Sequence, residues 1–181
     1  MAMTLFCTVA MLFFSYLFVD AGYRKLSEFR FLQKTITEYR VLPTSWSGPL
    51  ARVLPITELG AGVGLLIPIL HSEAAIAICG ALLAYTVAIA VNIARGRRDL
   101  DCGCAGPGAE QVISGALLVR NAVLFLLALA LASIPVSQRV PLDTPEICLA
   151  LAAALLCALV YQVINQLVAN QDKLRRVVNH G

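Results

Sequence analysis

The chain has 181 residues, 59% of them hydrophobic and 14% charged, where a soluble domain carries roughly a quarter charged, so water is not its main solvent. The net charge of +3 is small and the basic residues flank apolar stretches; they form no solvated face along which a phosphate backbone could run, which argues against nucleic acid as a partner. A membrane-crossing helix takes about 20 mostly apolar residues, and stretches of that kind fill most of the length, leaving no room for a separate soluble domain of roughly 100 residues.

The pattern predicts an all-α fold: one integral membrane domain over 1–181, a polytopic transmembrane helix bundle of about five spans with one interfacial amphipathic helix. The first span is expected over about 3–19, and because no Lys or Arg precedes it, it reads as a retained helix and not a cleaved signal peptide. Beyond Asp20, Leu26, Phe29, Leu32, Ile36 and Tyr39 recur at helical spacing among Arg30, Lys34 and Arg40, as in a helix lying along the membrane surface. Pro43, Gly48 and Pro49 interrupt that pattern before a second span over about 50–70, which carries Glu58. The third span, about 74–94, ends at a polar loop from Arg95 to Gln111. A fourth, about 112–134, contains Arg120 and Asn121, and a fifth covers about 146–169.

With five spans, twelve of the 14 Lys and Arg fall on one side, in the stretches Arg24 to Arg52, Arg95 to Arg98 and Lys173 to Arg176. Arg139 is alone on the other side and Arg120 lies within a span. Basic loops stay cytoplasmic, so the expected orientation has the amino terminus outside and the polar loop after the third span inside.

That loop holds Asp101-Cys102-Gly103-Cys104. Two thiols flanking one glycine can close a small disulfide ring, because glycine permits the turn that brings their Cα atoms within about 7 Å. So tight a ring is strained and easily reduced, whereas a structural disulfide normally closes a longer loop. Cys102 and Cys104 are therefore the expected redox pair, with Arg97 and Arg98 favouring a thiolate and Asp99 and Asp101 opposing it. The competing reading is a metal site for a soft ion, but His71 is expected at the opposite face and His180 lies near the chain end, so a closed four-ligand site would need help from another molecule. No bound metal and no cofactor are expected.

Cys7, Cys79, Cys148 and Cys157 lie within spans, where cysteine packs as a small apolar residue. Glu58 and Arg120 are expected at similar depth inside the bundle, where pairing with each other lowers the cost of burying charge, with Asn92 and Asn121 at comparable levels. These four polar residues are read either as a clasp holding the helices together or as groups supporting the cysteine loop. Gly60-Ala61-Gly62-Val63-Gly64 lacks the preceding strand and glycine spacing of a nucleotide loop; Gly60 and Gly64 are expected to form a close-packing helix face.

Taken together, Lys25-Leu26, Tyr39-Arg40-Val41-Leu42-Pro43, Glu58-Leu59, Asn92, Arg95-Gly96-Arg97, Asp101-Cys102-Gly103-Cys104, Gly106 and Arg120-Asn121 resemble the methylamine utilisation protein MauE family, relatives of the DoxX-like membrane proteins. Ala105 stands where an aromatic residue is expected in that family. The resemblance implies a bacterial inner-membrane protein that supports maturation of the methylamine dehydrogenase small subunit, beside the thioredoxin-like MauD, by thiol–disulfide exchange through Cys102 and Cys104. A non-catalytic assembly or docking factor for the same partners is the alternative, and a metal-binding membrane protein a third. Because the charge count puts the pair at the cytoplasmic face while the implied client folds outside, either the pair takes electrons from a cytoplasmic thiol donor and passes them outward, which is the reading taken, or the orientation is the reverse.

Overall fold

The computed structural model describes residues 2–97, 100–102, 113–134 and 142–180, with side chains up to 171. Arg98, Asp99, Gly103, Cys104, Ala105, Gly106 and Arg139 lie outside the described residues, as do the side chains of Lys173, Arg175, Arg176 and His180. The described residues form six α-helices: α1 (Ala2–Ser27), α2 (Phe29–Tyr39), α3 (Ser47–Gly64), α4 (His71–Ala94), α5 (Gly115–Ser133) and α6 (Thr144–His180). Four helical segments, Ala2–Ser27, Pro68–Ala94, Gly115–Ser133 and Thr144–Gln171, are long and apolar enough to cross a membrane. Their outer faces carry large apolar side chains in the open, among them Ile76, Leu126, Leu155 and Leu156, each more than 60% exposed. That is the surface a hydrocarbon solvent requires, and the protein is a multi-pass membrane protein.

The second apolar stretch divides where the sequence suggested a helix to residue 70. Pro68 disfavours helical backbone at the residue before it, and Ile67 accordingly takes φ −98°, ψ 115°. α3 therefore ends at Gly64, and a short 3-10 turn over Pro68–Leu70 leads into α4. His71 stabilises this corner, its Nδ1 lying 3.1 Å from the Leu65 carbonyl oxygen. With Arg52 and Glu58 inside its 18 residues, α3 is more polar than the four long apolar helices, and its place in the bundle is set by packing.

The packing is closest between α1 and α3, which run antiparallel: Gly22 faces Pro55 and Leu59, and Gly62 faces Ser15 and Val19. A Cβ on Gly22 would stand 2.9 Å from the Pro55 carbonyl oxygen, and one on Gly62 3.0 Å from that of Ser15. Absence of a side chain lets the two backbones approach, as is usual between membrane helices. The expected close-packing face over Gly60 and Gly64 is corrected at Gly60, where a Cβ meets nothing within 4 Å, while Gly64 does pack closely, a Cβ there standing 3.2 Å from that of Ala74 on α4. α4 packs on α3 and α5, while α6 packs mainly along α1. Cys7, Phe14, Leu65, Ile78, Leu82, Leu124 and Leu131 fill the apolar centre between them.

α2 is the amphipathic helix expected along the surface, with Leu32 and Thr35 buried against the bundle. It stops at Arg40, which adopts the left-handed conformation, φ 48°. A non-glycine residue seldom enters that region, and here the Arg40 carbonyl is held by Arg95 Nη1 at 2.9 Å. At the start of α6, the Asp143 backbone N–H donates to Glu146 Oε2 at 3.1 Å, a reach-back of the third helical residue to the cap that satisfies one of the helix's orphan donors.

Candidate functional site

At the end of the bundle where α1 and α4 finish, polar side chains that their helices carry separately come together. Lys25, in the last turn of α1, places Nζ 2.5 Å from Glu58 Oε1 and 3.0 Å from the Tyr85 hydroxyl, which it donates to. That hydroxyl donates in turn to Glu58 Oε1 at 2.6 Å, and Nζ lies 4.4 Å from the centre of the Tyr85 ring. Lys25 is 7% and Glu58 2% exposed. Two charges so far from water are tolerable only as a hydrogen-bonded pair. Glu58 Oε2 is buried without a hydrogen-bond partner among the described residues.

The expected Glu58–Arg120 pair is thus not formed. Glu58 takes its cation from α1, while Arg120 reaches sideways: its Nη2 donates to Asn121 Oδ1 at 3.1 Å and its Nη1 to Asn165 Oδ1 on α6 at 2.9 Å. Register explains the difference, because Lys25 sits at the depth of Glu58 once α1 continues to Ser27, eight residues past the expected end of its span. Glu58, Arg120 and Asn121 nevertheless share one cavity of about 230 Å³, between α1, α3, α4, α5 and α6, whose walls also include Lys25, Tyr85, Tyr161 and Asn165.

Asn92 lies beyond this cavity, two turns further along α4, and is fully buried. Its Nδ2 donates to the Ala88 carbonyl at 2.9 Å and its Oδ1 accepts from Arg97 Nη1 at 3.1 Å. Arg97 spends its other donors on the end of α2: Nη2 reaches the Glu38 carbonyl at 2.7 Å and Nη1 the Tyr39 carbonyl at 3.3 Å. Together with Arg95 on Arg40, two guanidinium groups satisfy the carbonyls that a helix leaves unpaired at its carboxyl end, where the helix dipole favours positive charge.

Cys102 sits against this clasp. It is 8% exposed and clusters with Ile89 of α4, Ile113 just ahead of α5 and Leu117 of α5, and Tyr39 packs against that cluster. The Tyr39 hydroxyl donates to the Cys102 carbonyl over a long 3.4 Å, and the Ile113 backbone N–H donates to Leu100 O at 3.0 Å, so both ends of the loop are pinned together. Ile89 and Leu117, which share the Cys102 cluster, lie one helical turn, about 5.4 Å, along their helices from the cavity-lining Tyr85 and Asn121. Cys104 lies outside the described residues.

Cys7, Cys79, Cys148 and Cys157 are free thiols on α1, α4 and α6. Among the described residues no three His, Cys, Asp or Glu side chains gather as a metal site requires. His71 opens α4 and Asn92 closes it, a separation of about 32 Å along the helix. Lys25, Tyr85, Tyr39 and Asn165 join the site without having been singled out for it. Lys25 was noted only within the family resemblance and among the basic residues flanking the first span, and Tyr85 has only Thr86 beside it in a long apolar run.

The sequence model of the family described as methylamine utilisation protein MauE matches residues 3–134. Methylamine utilization protein MauE of Paracoccus denitrificans is 38% identical over 150 residues, covering 83% of this chain and 80% of its own. The MauE of Methylophilus methylotrophus is 35% identical over 170 residues, covering 89% and 86%. No solved structure matches the chain.

Proposed function

Since the chain belongs to the methylamine utilisation protein MauE family, we propose that it is an inner-membrane thiol–disulfide exchange protein supporting maturation of the methylamine dehydrogenase small subunit, in concert with the thioredoxin-like MauD. Cys102 and Cys104 are the exchanging pair. The observation that carries this reading is the setting of Cys102: it lies outside the helices, at the polar end of the bundle, in a segment whose two ends are fastened by the Leu100–Ile113 hydrogen bond. Cys7, by contrast, packs as a small apolar residue within α1, in the centre of the bundle.

In one exchange a thiolate of the pair attacks a partner disulfide, whose S–S bond breaks as a mixed disulfide forms. The second sulfur of the pair then displaces the partner. The pair ends as a disulfide and the partner as a dithiol, with two electrons and two protons transferred; the reverse sequence oxidises the partner. Glu58, Asn92, Arg120 and Asn121 support the pair: Asn92 through Arg97, and the other three by maintaining the polar cavity one turn along α4 and α5.

The test is replacement of each cysteine. Cys102→Ser and Cys104→Ser should abolish correct disulfide pairing of the small subunit, and one of the two should accumulate a mixed disulfide with the partner. Normal maturation in both variants, with maturation lost on deletion of the whole protein, would leave a docking factor in place of an exchange protein.

A further inference from the structure

Thiol exchange requires an incoming sulfur to touch the attacked one along a clear line, yet Cys102 is only 8% exposed. The last turn of α2 lies beside it: Tyr39 packs against the cluster that contains Cys102, and its hydroxyl bonds the Cys102 carbonyl. This turn is not held by α2 alone, an eleven-residue helix too short to be stable by itself in water. It is fastened from the opposite side of the loop by Arg97, whose guanidinium bridges the Glu38 and Tyr39 carbonyls to buried Asn92 on α4.

We infer that Tyr39 is a positioning residue for Cys102 and that Arg97, anchored on Asn92, fixes it there, so that the end of α2 forms a cover which must shift before a partner's sulfur reaches Cys102. Its functional meaning rests on the thiol-exchange reading; the cover itself does not. α2 lies on the surface of the bundle, with Arg30, Lys34 and Arg40 exposed. A protein partner docking at this end therefore meets the element that controls access to the sulfur.

The experiment uses the full chain in detergent micelles, with all cysteines but Cys102 replaced by serine, and measures the rate of reaction with a maleimide. A parallel set keeps Cys7 alone, which is buried in α1 toward the other end of the bundle. Tyr39→Ala and Arg97→Ala should each raise the rate at Cys102 at least about tenfold, as expected when a local opening becomes easier. Tyr39→Phe keeps the ring while removing the hydroxyl and its long hydrogen bond to the Cys102 carbonyl, and should change the rate by less than about threefold. The rate at Cys7 should stay constant in every variant. An unchanged rate at Cys102 in Tyr39→Ala, or a rise at Cys7 in step with it, overturns the proposal, the second by showing general loosening of the bundle. Failure of the exchange reading is read separately, as absence of a trapped mixed disulfide in cells expressing Cys102→Ser or Cys104→Ser, and leaves the labelling result standing.

Discussion

Lys25 and Glu58, 33 residues apart in sequence, form an ion pair with 2.5 Å between Nζ and Oε1, both buried. The pair ties the end of α1 to the middle of α3 at the level where the apolar core gives way to the polar cavity. Breaking one side of such a pair strands the other charge, which costs about 3–5 kcal/mol, whereas replacing both by apolar residues of similar volume is far milder. Lys25→Met and Glu58→Leu should each lower the unfolding temperature of the micellar protein strongly, and the double variant should recover most of the loss. Additive losses in the double variant would show that the two residues act independently.

Tyr85 completes the pair by accepting from Lys25 and donating to Glu58. Tyr85→Phe removes both bonds while keeping the ring under the ammonium, so the expected cost is about 1.5–3 kcal/mol, the range for bonds to charged groups. Denaturant titration in micelles measures it. A cost below a few tenths would mean that water replaces the hydroxyl in the cavity.

The close approach of α1 and α3 makes a sharp distinction between glycines. Gly62→Val forces Cγ atoms against Val19 and the Ser15 backbone and should reduce stability by about 1–3 kcal/mol or more, the cost of overpacking. Gly60→Ala enters open space and should stabilise α3 by about 0.5–1 kcal/mol through the helix preference of alanine. Thermal unfolding of the two variants in parallel tests the contact; equal effects would contradict it.

Arg120 links α5 to α6 through Asn165. A cycle of Arg120→Leu, Asn165→Leu and the double variant should give a coupling energy of about 0.5–1.5 kcal/mol, typical of polar contacts between membrane helices. Zero coupling would mean that the Arg120–Asn165 hydrogen bond does not hold α6 to α5.

The all-helical membrane architecture and the amphipathic helix Phe29–Tyr39 were legible in the residues themselves, because hydrocarbon demands long apolar runs with internally satisfied backbones. The Cys-Gly-Cys segment stood out in a polar loop as the candidate for exchange, which the cysteine replacements test. The pairing of charges was not. Depth counted from the ends of estimated spans set Glu58 beside Arg120, but α1 continues as helix past its apolar stretch and delivers Lys25 first. The break after Gly64 was carried by Pro68, a local signal whose reach into the preceding residue is fixed by sterics.

Periodicity and hydropathy act along the chain, so by themselves they determined which segments are helical and, for four of the five expected spans, which are long and apolar enough to cross lipid. Which helix faces which depends on the rotation and vertical register of each rod, and these follow from contacts between segments far apart in sequence. Gly22 against Leu59, Lys25 against Glu58, and Arg97 on the end of α2 beside Cys102 therefore emerged only from the assembled bundle, where shape and the need to satisfy buried polar groups select one arrangement.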